Sequence, residues 1–358
     1  MKFKSKLYQE DIEYVAGLDI EWSALKDKTI MITGASGMIG TFLTDVLMYR
    51  NNVYRDNCNI LAVSRNKNKL KQKFSRYCDD RNFKAIELDV TETIGITEKA
   101  DYVIHAASNT HPKEYSNDPI GTIMTNIFGT YNLLEYVSKS RNAKMIFMSS
   151  VEIYGENCND INRISENDCG YINCNTLRAG YPESKRLSEA MLQAYRMQKG
   201  VEALSIRLCR TYGPTVEKDD SKAISQFIKN AVNKENIILK SDGKQSYSYI
   251  YLADAVSAIL YIMLYGIDGE AYNVSDVDSD VILKELAEKI AAYAGTKVVF
   301  QIPDSNEQKG YSTATKAILE AEKLRKLGWK AKYNIDEGLE RTIKMLQTDS
   351  DFREFWKE

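Results

Sequence analysis

The first half of the chain alternates short apolar runs with longer stretches of helical periodicity. The apolar runs begin at Thr29 (TIMIT), Asn59 (NILAVS), Phe83 (FKAIELD), Asp101 (DYVIHAA), Lys144 (KMIFMSS) and Glu202 (EALSIRL). Helical patterns such as MIGTFLTDVLMYR and GTIMTNIFGTYNLLEYVSKS lie between most of them. Strands that are apolar on both faces and alternate with helices predict an α/β fold, a doubly wound parallel sheet covered by helices on both sides.

The pattern becomes less regular after about Thr211. This part contains one helix candidate (KAISQFIKNAV), more strand-like pieces and a last helix (GLERTIKML). We therefore expect a second, smaller α/β domain that closes over the edge of the sheet. The predicted boundaries are a large domain over 29–210 to which about 246–266 return, a smaller domain over 211–245 and 267–347, an N-terminal extension over 1–28 and a C-terminal tail over 348–358.

Composition narrows the function classes. The 358 residues carry a formal net charge of -2, with 44% hydrophobic and 27% charged residues. Such a chain has no global attraction for nucleic acid or for an anionic membrane. No apolar run approaches the length of a membrane span, and the charged N-terminus lacks the apolar core of a signal peptide, so we expect a cytoplasmic protein. The six cysteines and two histidines show no zinc-binding spacing, and no metal site is expected.

A glycine triplet follows the first strand and opens a helix. In TIMITGASGMIG the glycines are Gly34, Gly37 and Gly40. Glycines at this spacing permit a tight turn, a close approach of backbone to a pyrophosphate, and close packing of helix on strand. The other interpretation is a turn that only lets the helix pack. On the dinucleotide interpretation the loop also brings Ser36, Met38 and Ile39 to the cofactor.

The ends of the second and third strands bear on the choice of cofactor. NAD-binding folds usually carry an acidic residue after the second strand, whereas this chain has Ser64 and Arg65. Because Arg65 can accommodate a 2′-phosphate, NADP is favoured slightly over NAD, unless Arg65 is a solvated surface residue or stacks on adenine. Asp89 is a candidate adenine contact or the cap of a turn.

Tyr181 and Lys185 stand four residues apart in RAGYPESKRLSEAML, which places both side chains on one face of a helix. A neighbouring ammonium and a positively charged nicotinamide would lower the pKa of the phenol, so that Tyr181 could take a proton from a sugar hydroxyl. Ser150, at the end of the apolar run KMIFMSS, could hydrogen-bond the same oxygen. The alternative is that Tyr181 and Lys185 form a pair on the surface of a helix and have no catalytic role.

These motifs resemble the extended short-chain dehydrogenases/reductases, and within them the NAD-dependent epimerase/dehydratase family that acts on nucleotide sugars. The resemblance covers about residues 29–347 and includes TGASGMIG, NIFGTYNLLE, SSVEIYG, YPESK, RTYGP, YIYLADAVSAI and the closing LGWKAKY with EGLERTI. It implies a Rossmann domain, a C-terminal nucleotide-sugar domain and a tightly held NAD(P). It also implies a homodimer formed through the helices of Tyr181 and GTYNLLEYV, although these helices could be ordinary core elements. The further cofactor contacts that it implies are Val90, Ala106, Ala107, Ser108, Asn126 and Ser149.

The nearest branch resembles the UDP-glucuronate decarboxylases and the dTDP-glucose 4,6-dehydratases, which carry a Glu at the position of Glu152. The dehydratases have an Asp acid where this chain has Val151, so that elimination of water by their route is not expected. The decarboxylases have a diphosphate-binding Arg at the place of Tyr247. The chain instead gains Arg210, and the hypothesis is that Arg210 and Lys222 contact the diphosphate, unless Arg210 pairs with a local carboxylate.

An enzyme that oxidises a nucleotide sugar at C4 is the leading interpretation. C4 epimerisation ranks first because it needs only Ser150, Tyr181, Lys185 and the cofactor. A decarboxylase ranks second, an NADPH-dependent 4-keto-sugar reductase third and a dehydratase fourth. Glu152 could also act as a base at C3 or C5, or simply cap the following turn. The remote alternative is an NADP-binding regulator without turnover.

Overall fold

The computed structural model describes residues 3, 5–110, 112–140, 142–156, 161–301, 314–349 and 352. Some residues named in the sequence analysis or counted there lie outside these ranges. They are residues 1, 2 and 4 of the predicted N-terminal extension, the cysteine Cys158, and most of the predicted C-terminal tail.

The larger sheet is parallel and has seven strands in the order β10-β6-β5-β4-β1-β2-β3. Its strands are β1 (Thr29–Thr33), β2 (Asn59–Ser64), β3 (Phe83–Glu87), β4 (Tyr102–His105), β5 (Lys144–Ser150), β6 (Glu202–Leu208) and β10 (Ala271–Val274). Six of these are the predicted apolar runs, and the predicted doubly wound α/β fold is confirmed.

Successive residues of each inner strand point to opposite faces of this sheet, and each face is buried in its own hydrophobic core. On β1, Ile30 and Ile32 belong to one core and Met31 belongs to the other. All three side chains are fully buried. A strand that is covered on both faces must be apolar at every position, which explains why the sequence shows continuous runs instead of alternation.

Helices pack on both faces of the larger sheet, and further helices pack on strands of the smaller domain. In chain order the helices are α1 (Lys6–Ala16), α2 (Met38–Val53), α3 (Lys67–Lys73), α4 (Pro112–Asn117), α5 (Pro119–Ser138), α6 (Gly180–Lys199), α7 (Ala223–Val232), α8 (Leu252–Tyr265), α9 (Leu283–Ala294), α10 (Glu322–Arg325) and α11 (Ile335–Thr348). Helices α5 and α6 pack on each other, while α1 packs on α2, α8 and α11. In the described part of the chain, none of the helices combines the length and the apolar character that a bilayer crossing requires.

The smaller domain is built around a second sheet. Strands β7 (Arg210–Tyr212), β11 (Asp280–Ile282) and β13 (Lys316–Ala317) each pair with β9 (Ser246–Tyr251), and β8 (Ile237–Leu239) pairs with β12 (Val298–Phe300).

Two predicted boundaries differ from the structure. Strand β9, expected to return to the larger domain, lies in the second sheet, and only α8 returns. Strand β10, expected in the smaller domain, pairs with β6. The polar Asn273 interrupts the apolar pattern of this strand and is fully buried. Its burial is tolerated because it accepts a hydrogen bond from Tyr154 and donates to the carbonyls of Ile164 and Glu320.

The N-terminal segment is part of the core. Ile12 and Val15 on α1 are fully buried. Asp11 is also buried, and it accepts hydrogen bonds from the Tyr251 hydroxyl at 2.5 Å and from Arg341 Nε at 3.0 Å. A buried carboxylate needs such partners. Residues 5–25 therefore link α8 to α11 and form part of the folded core.

Candidate active site

The glycine loop has the shape that a dinucleotide requires. Gly34 has φ +67°, and a Cβ there would lie 2.8 Å from the Ala106 carbonyl group. A Cβ at Gly40 would lie 2.6 Å from the Gly34 carbonyl oxygen. Gly37 caps the N-terminus of α2 without a side chain, so the first amides of that helix face outward. Only glycines permit this cradle, and the open helix end attracts a phosphate. The loop fits the pyrophosphate of NAD(P).

The adenosine side of this groove is polar. The hydroxyls of Ser36 and Ser64 lie 3.4 Å apart, and Arg65 is exposed just beyond β2. Asp89 accepts hydrogen bonds from the amide and hydroxyl of Thr91 at 2.9 and 2.8 Å. Asp89 thus caps a turn, which is the second of the two interpretations offered for it.

A chain of buried hydrogen bonds connects the end of β4 to the helix of the catalytic pair. The Ser108 hydroxyl donates to Asn126 Oδ1 at 2.7 Å, and Asn126 Nδ2 donates to the Ser184 hydroxyl at 2.8 Å. Ser184 in turn donates to the Tyr181 carbonyl oxygen at 2.8 Å. Asn126 is fully buried and therefore fixes α5 against α6. Val90 is buried against Gly129 of α5, and the Ala107 amide donates to the Thr33 hydroxyl at 3.2 Å.

Tyr181 and Lys185 lie on the buried face of α6, at 6% and 2% exposure. Lys185 Nζ donates to the Met148 carbonyl oxygen at 2.8 Å and lies 5.9 Å from the centre of the Tyr181 ring. Burial and the charge of Glu152 raise the pKa of Tyr181 to about 12, and burial lowers the pKa of Lys185 to about 7. In the protein without a bound nicotinamide, desolvation thus outweighs the neighbouring groups that lower the pKa of Tyr181. The lowering expected from the sequence includes the positive charge of the nicotinamide.

The last residues of β5 face this helix. The Ser150 hydroxyl accepts a hydrogen bond from the Glu152 amide at 3.2 Å, and its interaction with the Tyr181 phenol lowers the pKa of Tyr181. Ser149 is buried, and its hydroxyl has no partner among the described residues. Glu152 forms an ion pair with Arg178. The carboxylate of Glu152 is therefore held by a cation and does not cap the turn.

Two residues at this site were not identified from the sequence. Tyr115 on α4 stacks on Tyr181. The guanidinium carbon of Arg178 lies 4.6 Å from the centre of the Tyr115 ring. Arg178 could have been found, because it precedes Tyr181 by three residues and so lies within one helical turn. Nothing in the sequence connects Tyr115 to the pair.

A cavity of about 130 Å³ opens beside the Glu152–Arg178 pair. Val151, Arg210 and Tyr171 also contribute to its wall. The Arg210 guanidinium stacks on the Tyr247 ring at 3.4 Å, and no ion pair is found for it within the described ranges. Lys222 pairs with Asp220 at 2.8 Å and is not part of the described wall. Among the predicted substrate contacts, the structure thus brings Arg210 to the cavity and Tyr247 behind it.

The parallel sheet, the glycine loop and the Tyr-Lys pair at its carboxyl edge define a Rossmann-type dinucleotide-dependent enzyme. A model of the NAD dependent epimerase/dehydratase family matches residues 30–275. The chain belongs to this family of enzymes.

Curated relatives match over most of the chain. UDP-glucuronic acid decarboxylase 1 of Danio rerio is 30% identical over 325 residues, which cover 90% of this chain and 73% of the relative. UDP-glucuronic acid decarboxylase 5 of Arabidopsis thaliana is 30% identical over 315 residues, covering 87% and 86%.

Solved structures share the fold. UDP-glucose 4-epimerase of Thermotoga maritima, with UDP-glucose, has a TM-score of 0.76 at 23% identity and covers 89% of this chain and 98% of its own. The dTDP-glucose 4,6-dehydratase DesIV of Streptomyces venezuelae, with NAD, has a TM-score of 0.78 at 20% identity and covers 92% and 99%.

Proposed function

We propose that the chain binds NAD(P) and oxidises a nucleotide-linked sugar at C4. Tyr181 takes the proton of the C4 hydroxyl, the Ser150 hydroxyl hydrogen-bonds the same oxygen, and Lys185 stabilises the phenolate and holds the nicotinamide ribose. The nicotinamide, when bound, supplies the group that accepts the hydride from C4 and returns it. The glycine loop, Ala106, Ser108 and Asn126 hold the dinucleotide.

NADP is the favoured cofactor in this proposal. Arg65 is exposed at the end of β2, beside the hydroxyls of Ser36 and Ser64. A guanidinium there pairs with a 2′-phosphate, whereas no carboxylate stands at this place to hold a free ribose hydroxyl.

The unpaired donors of Arg178 support the substrate class that we propose. Its Nε and Nη1 atoms are buried and have no hydrogen-bond partner among the described residues, although Nη2 pairs with Glu152. Leaving a buried donor unpaired costs ~1–3 kcal/mol, and more when it is charged. Because Arg178 borders the cavity one turn before Tyr181, an anionic group on the sugar itself is the acceptor that these atoms require. We therefore propose a nucleotide-linked hexuronic acid.

Decarboxylation follows from this substrate. Oxidation at C4 creates a ketone that is β to the C6 carboxylate. The C5–C6 bond then breaks, carbon dioxide leaves, and the electron pair stays on C5 and is shared with the C4 oxygen. Tyr181, now protonated, hydrogen-bonds that oxygen, and water held by Glu152 delivers a proton to C5. When the C4 ketone is reduced again, Tyr181 returns its proton to the C4 oxygen, so that the product is a pentose with its C4 hydroxyl restored. The curated relatives support this reaction, since they carry the name of UDP-glucuronic acid decarboxylases.

C4 epimerisation remains the second candidate. The decarboxylases that this chain resembles have an Arg where this chain has Tyr247, and here Tyr247 lies under the guanidinium of Arg210. We propose that Arg210 contacts the diphosphate instead, while Lys222 reaches it only by leaving Asp220. A diphosphate that is held differently leaves room for the keto-sugar to turn over and be reduced on its other face.

The test is a panel of UDP-, dTDP-, CDP- and GDP-linked hexoses and hexuronic acids, followed by mass spectrometry and nicotinamide absorbance. We expect a hexuronic acid to yield a product that is lighter by one carbon dioxide, without net consumption of cofactor. Unchanged mass with an inverted C4 would show the epimerase, net consumption of NADPH would show a reductase, and retained cofactor without any turnover would show a regulator. Tyr181→Phe abolishes every conversion if the catalytic proposal is right.

Arg178 is tested with the same panel. Arg178→Gln should raise KM for the hexuronic acid by about tenfold or more, since a charged hydrogen bond contributes ~1.5–3 kcal/mol. Arg196→Gln is the matched control, because Arg196 lies on α6 but pairs with Asp268. An unchanged KM in Arg178→Gln would contradict the proposed substrate class.

We also propose a homodimer. Helix α5 exposes Ile120, Met124, Phe128 and Tyr131, at 69%, 40%, 46% and 45% exposure. Their spacing of four, four and three residues puts them on one stripe. A row of exposed large apolar side chains marks an interaction surface, and a second copy with the same stripe is its self-complementary partner.

A further inference from the structure

A segment that connects β7 to α7 contacts elements that border the glycine loop. We name these residues, 213–222, the strap. Among the described residues, polar contacts join the strap to helices α2, α3 and α4 of the larger domain. The Thr215 hydroxyl donates to the Met38 carbonyl oxygen at 2.9 Å, at the start of α2. Further along, the Ser221 hydroxyl accepts a hydrogen bond from the Lys113 amide at 3.1 Å, on α4.

The third contact is ionic and lies between these two. Glu217 pairs with Lys69 and, at 3.7 Å, with Lys73, both on α3. Lys73 Nζ also donates to the Ser36 carbonyl oxygen at 2.7 Å, inside the glycine loop. The Glu217 carboxylate is therefore joined through one lysine to the loop that fits the pyrophosphate.

The strap is closed in this structure. Thr215 and Val216 are only 6% and 3% exposed, although they lie in a connecting segment. The side chains of Glu217 and Lys73 are 26% and 14% exposed, so their attraction is less screened than that of a surface pair. Lys69 is more open, at 38%, and gives salt ions access to the pair.

We propose that Glu217 is a positioning residue that holds the strap shut over a bound dinucleotide. The inference rests on the proposed cofactor binding and adds that exchange of the dinucleotide waits for the Glu217 ion pairs to open. A dinucleotide that stays bound suits a conversion in which the hydride is returned to the same sugar. It does not suit a net reductase, which must exchange its cofactor in every turnover.

The experiment measures dissociation of the cofactor and needs no substrate. Protein loaded with NADPH, or with NADH, is mixed with an excess of the oxidised form, and the loss of bound nicotinamide fluorescence gives the dissociation rate at low and high KCl. Wild-type protein should release the cofactor slowly, and faster as salt is added. Glu217→Gln should release it about tenfold faster and with a weaker dependence on salt.

Two further variants sharpen the result. Lys69→Gln should accelerate release in the same direction, and the double variant should be less than additive because both changes break one pair. Asp219→Asn, an exposed residue of the strap, is the matched control and should behave like the wild type.

Two other outcomes would contradict the strap proposal or the proposed function, and they can be told apart. A folded Glu217→Gln protein that releases NADPH at the wild-type rate overturns the role of the strap while the proposed function stands. A wild-type protein that binds neither dinucleotide overturns the proposed function, and the strap proposal with it.

Discussion

The ring of Tyr115 stacks on the ring of Tyr181, with the centroids 4.7 Å apart and the planes inclined by 28°. The Arg178 guanidinium lies 4.6 Å from the centre of the Tyr115 ring. Tyr115 therefore packs against both the proposed base and the proposed anion-binding group. Helix α4, which carries Tyr115, has only six residues.

Removal of the Tyr115 ring should slow the reaction. In Tyr115→Ala, Tyr181 gains freedom to rotate, and the loss of an aromatic pair worth ~0.5–1.5 kcal/mol predicts a kcat that is lower by roughly two- to tenfold. Tyr115→Phe keeps the stack and should remain near the wild-type rate. Steady-state kinetics well below the melting temperature of each variant make the comparison. A wild-type kcat in Tyr115→Ala would show that the stack has no catalytic role.

The buried ammonium of Lys185 should make stability depend on pH in the cofactor-free protein. Burial lowers the pKa of Lys185 from 10.5 to about 7, so between these values the unfolded chain binds a proton that the folded protein releases. The free energy of unfolding of the wild type therefore rises with pH across this window, relative to a variant without the group.

Lys185→Met isolates this effect, because it removes the titrating group together with its hydrogen bond to the Met148 carbonyl. In urea unfolding, the free energy of unfolding of the variant minus that of the wild type should be largest at pH 6 and smallest at pH 9. Lys139→Met, at an exposed position, should show no such trend. A difference between Lys185→Met and wild type that is equal at both pH values would contradict the prediction.

Arg65 should discriminate between the two dinucleotides. Arg65→Ala removes the partner of the 2′-phosphate, which predicts an NADP affinity that is weaker by about tenfold and an NAD affinity that changes little. Fluorescence titration with NADPH and NADH measures both. If NADPH binds equally well to the variant, Arg65 is a solvated surface residue or an adenine-stacking one, and the preference for NADP has lost its support.

The stripe on α5 should determine the oligomeric state. A carboxylate in the middle of an apolar interface is strongly unfavourable, so Phe128→Asp should convert a dimer into monomers, as measured by light scattering. Ile267→Asp provides the control, since Ile267 is 65% exposed but lies outside α5. A wild-type protein that is monomeric at every concentration would exclude the proposed dimer.

The sequence predicted the larger sheet well because its inner strands are covered on both sides. The runs that start at Thr29, Asn59, Lys144 and Glu202 coincide with β1, β2, β5 and β6. Strand β10 lies in a region whose pattern is less regular, and it was placed in the other domain. The hydrogen bonds that make a buried Asn273 acceptable in this strand come from distant elements.

The catalytic pair and the glycine loop could likewise be predicted, since their chemistry depends on spacing within one segment. Tyr115 and the Glu217 ion pairs could not, because each joins segments that are far apart in the chain and that no local period connects. The rise in the Tyr181 pKa that burial causes in the protein without cofactor could not be predicted either, because it depends on how deeply the fold buries the ring.

The contact between α1 and α11 has a consequence for the order in which the molecule is completed on the ribosome. Asp11 and Arg341 are 330 residues apart in the chain, yet their side chains meet at 3.0 Å. The carboxylate of Asp11 therefore leaves the ribosome long before its cation does. Until α11 emerges, a docked α1 would bury this carboxylate without its counterion. We therefore expect α1 to dock only after α11 has been synthesised.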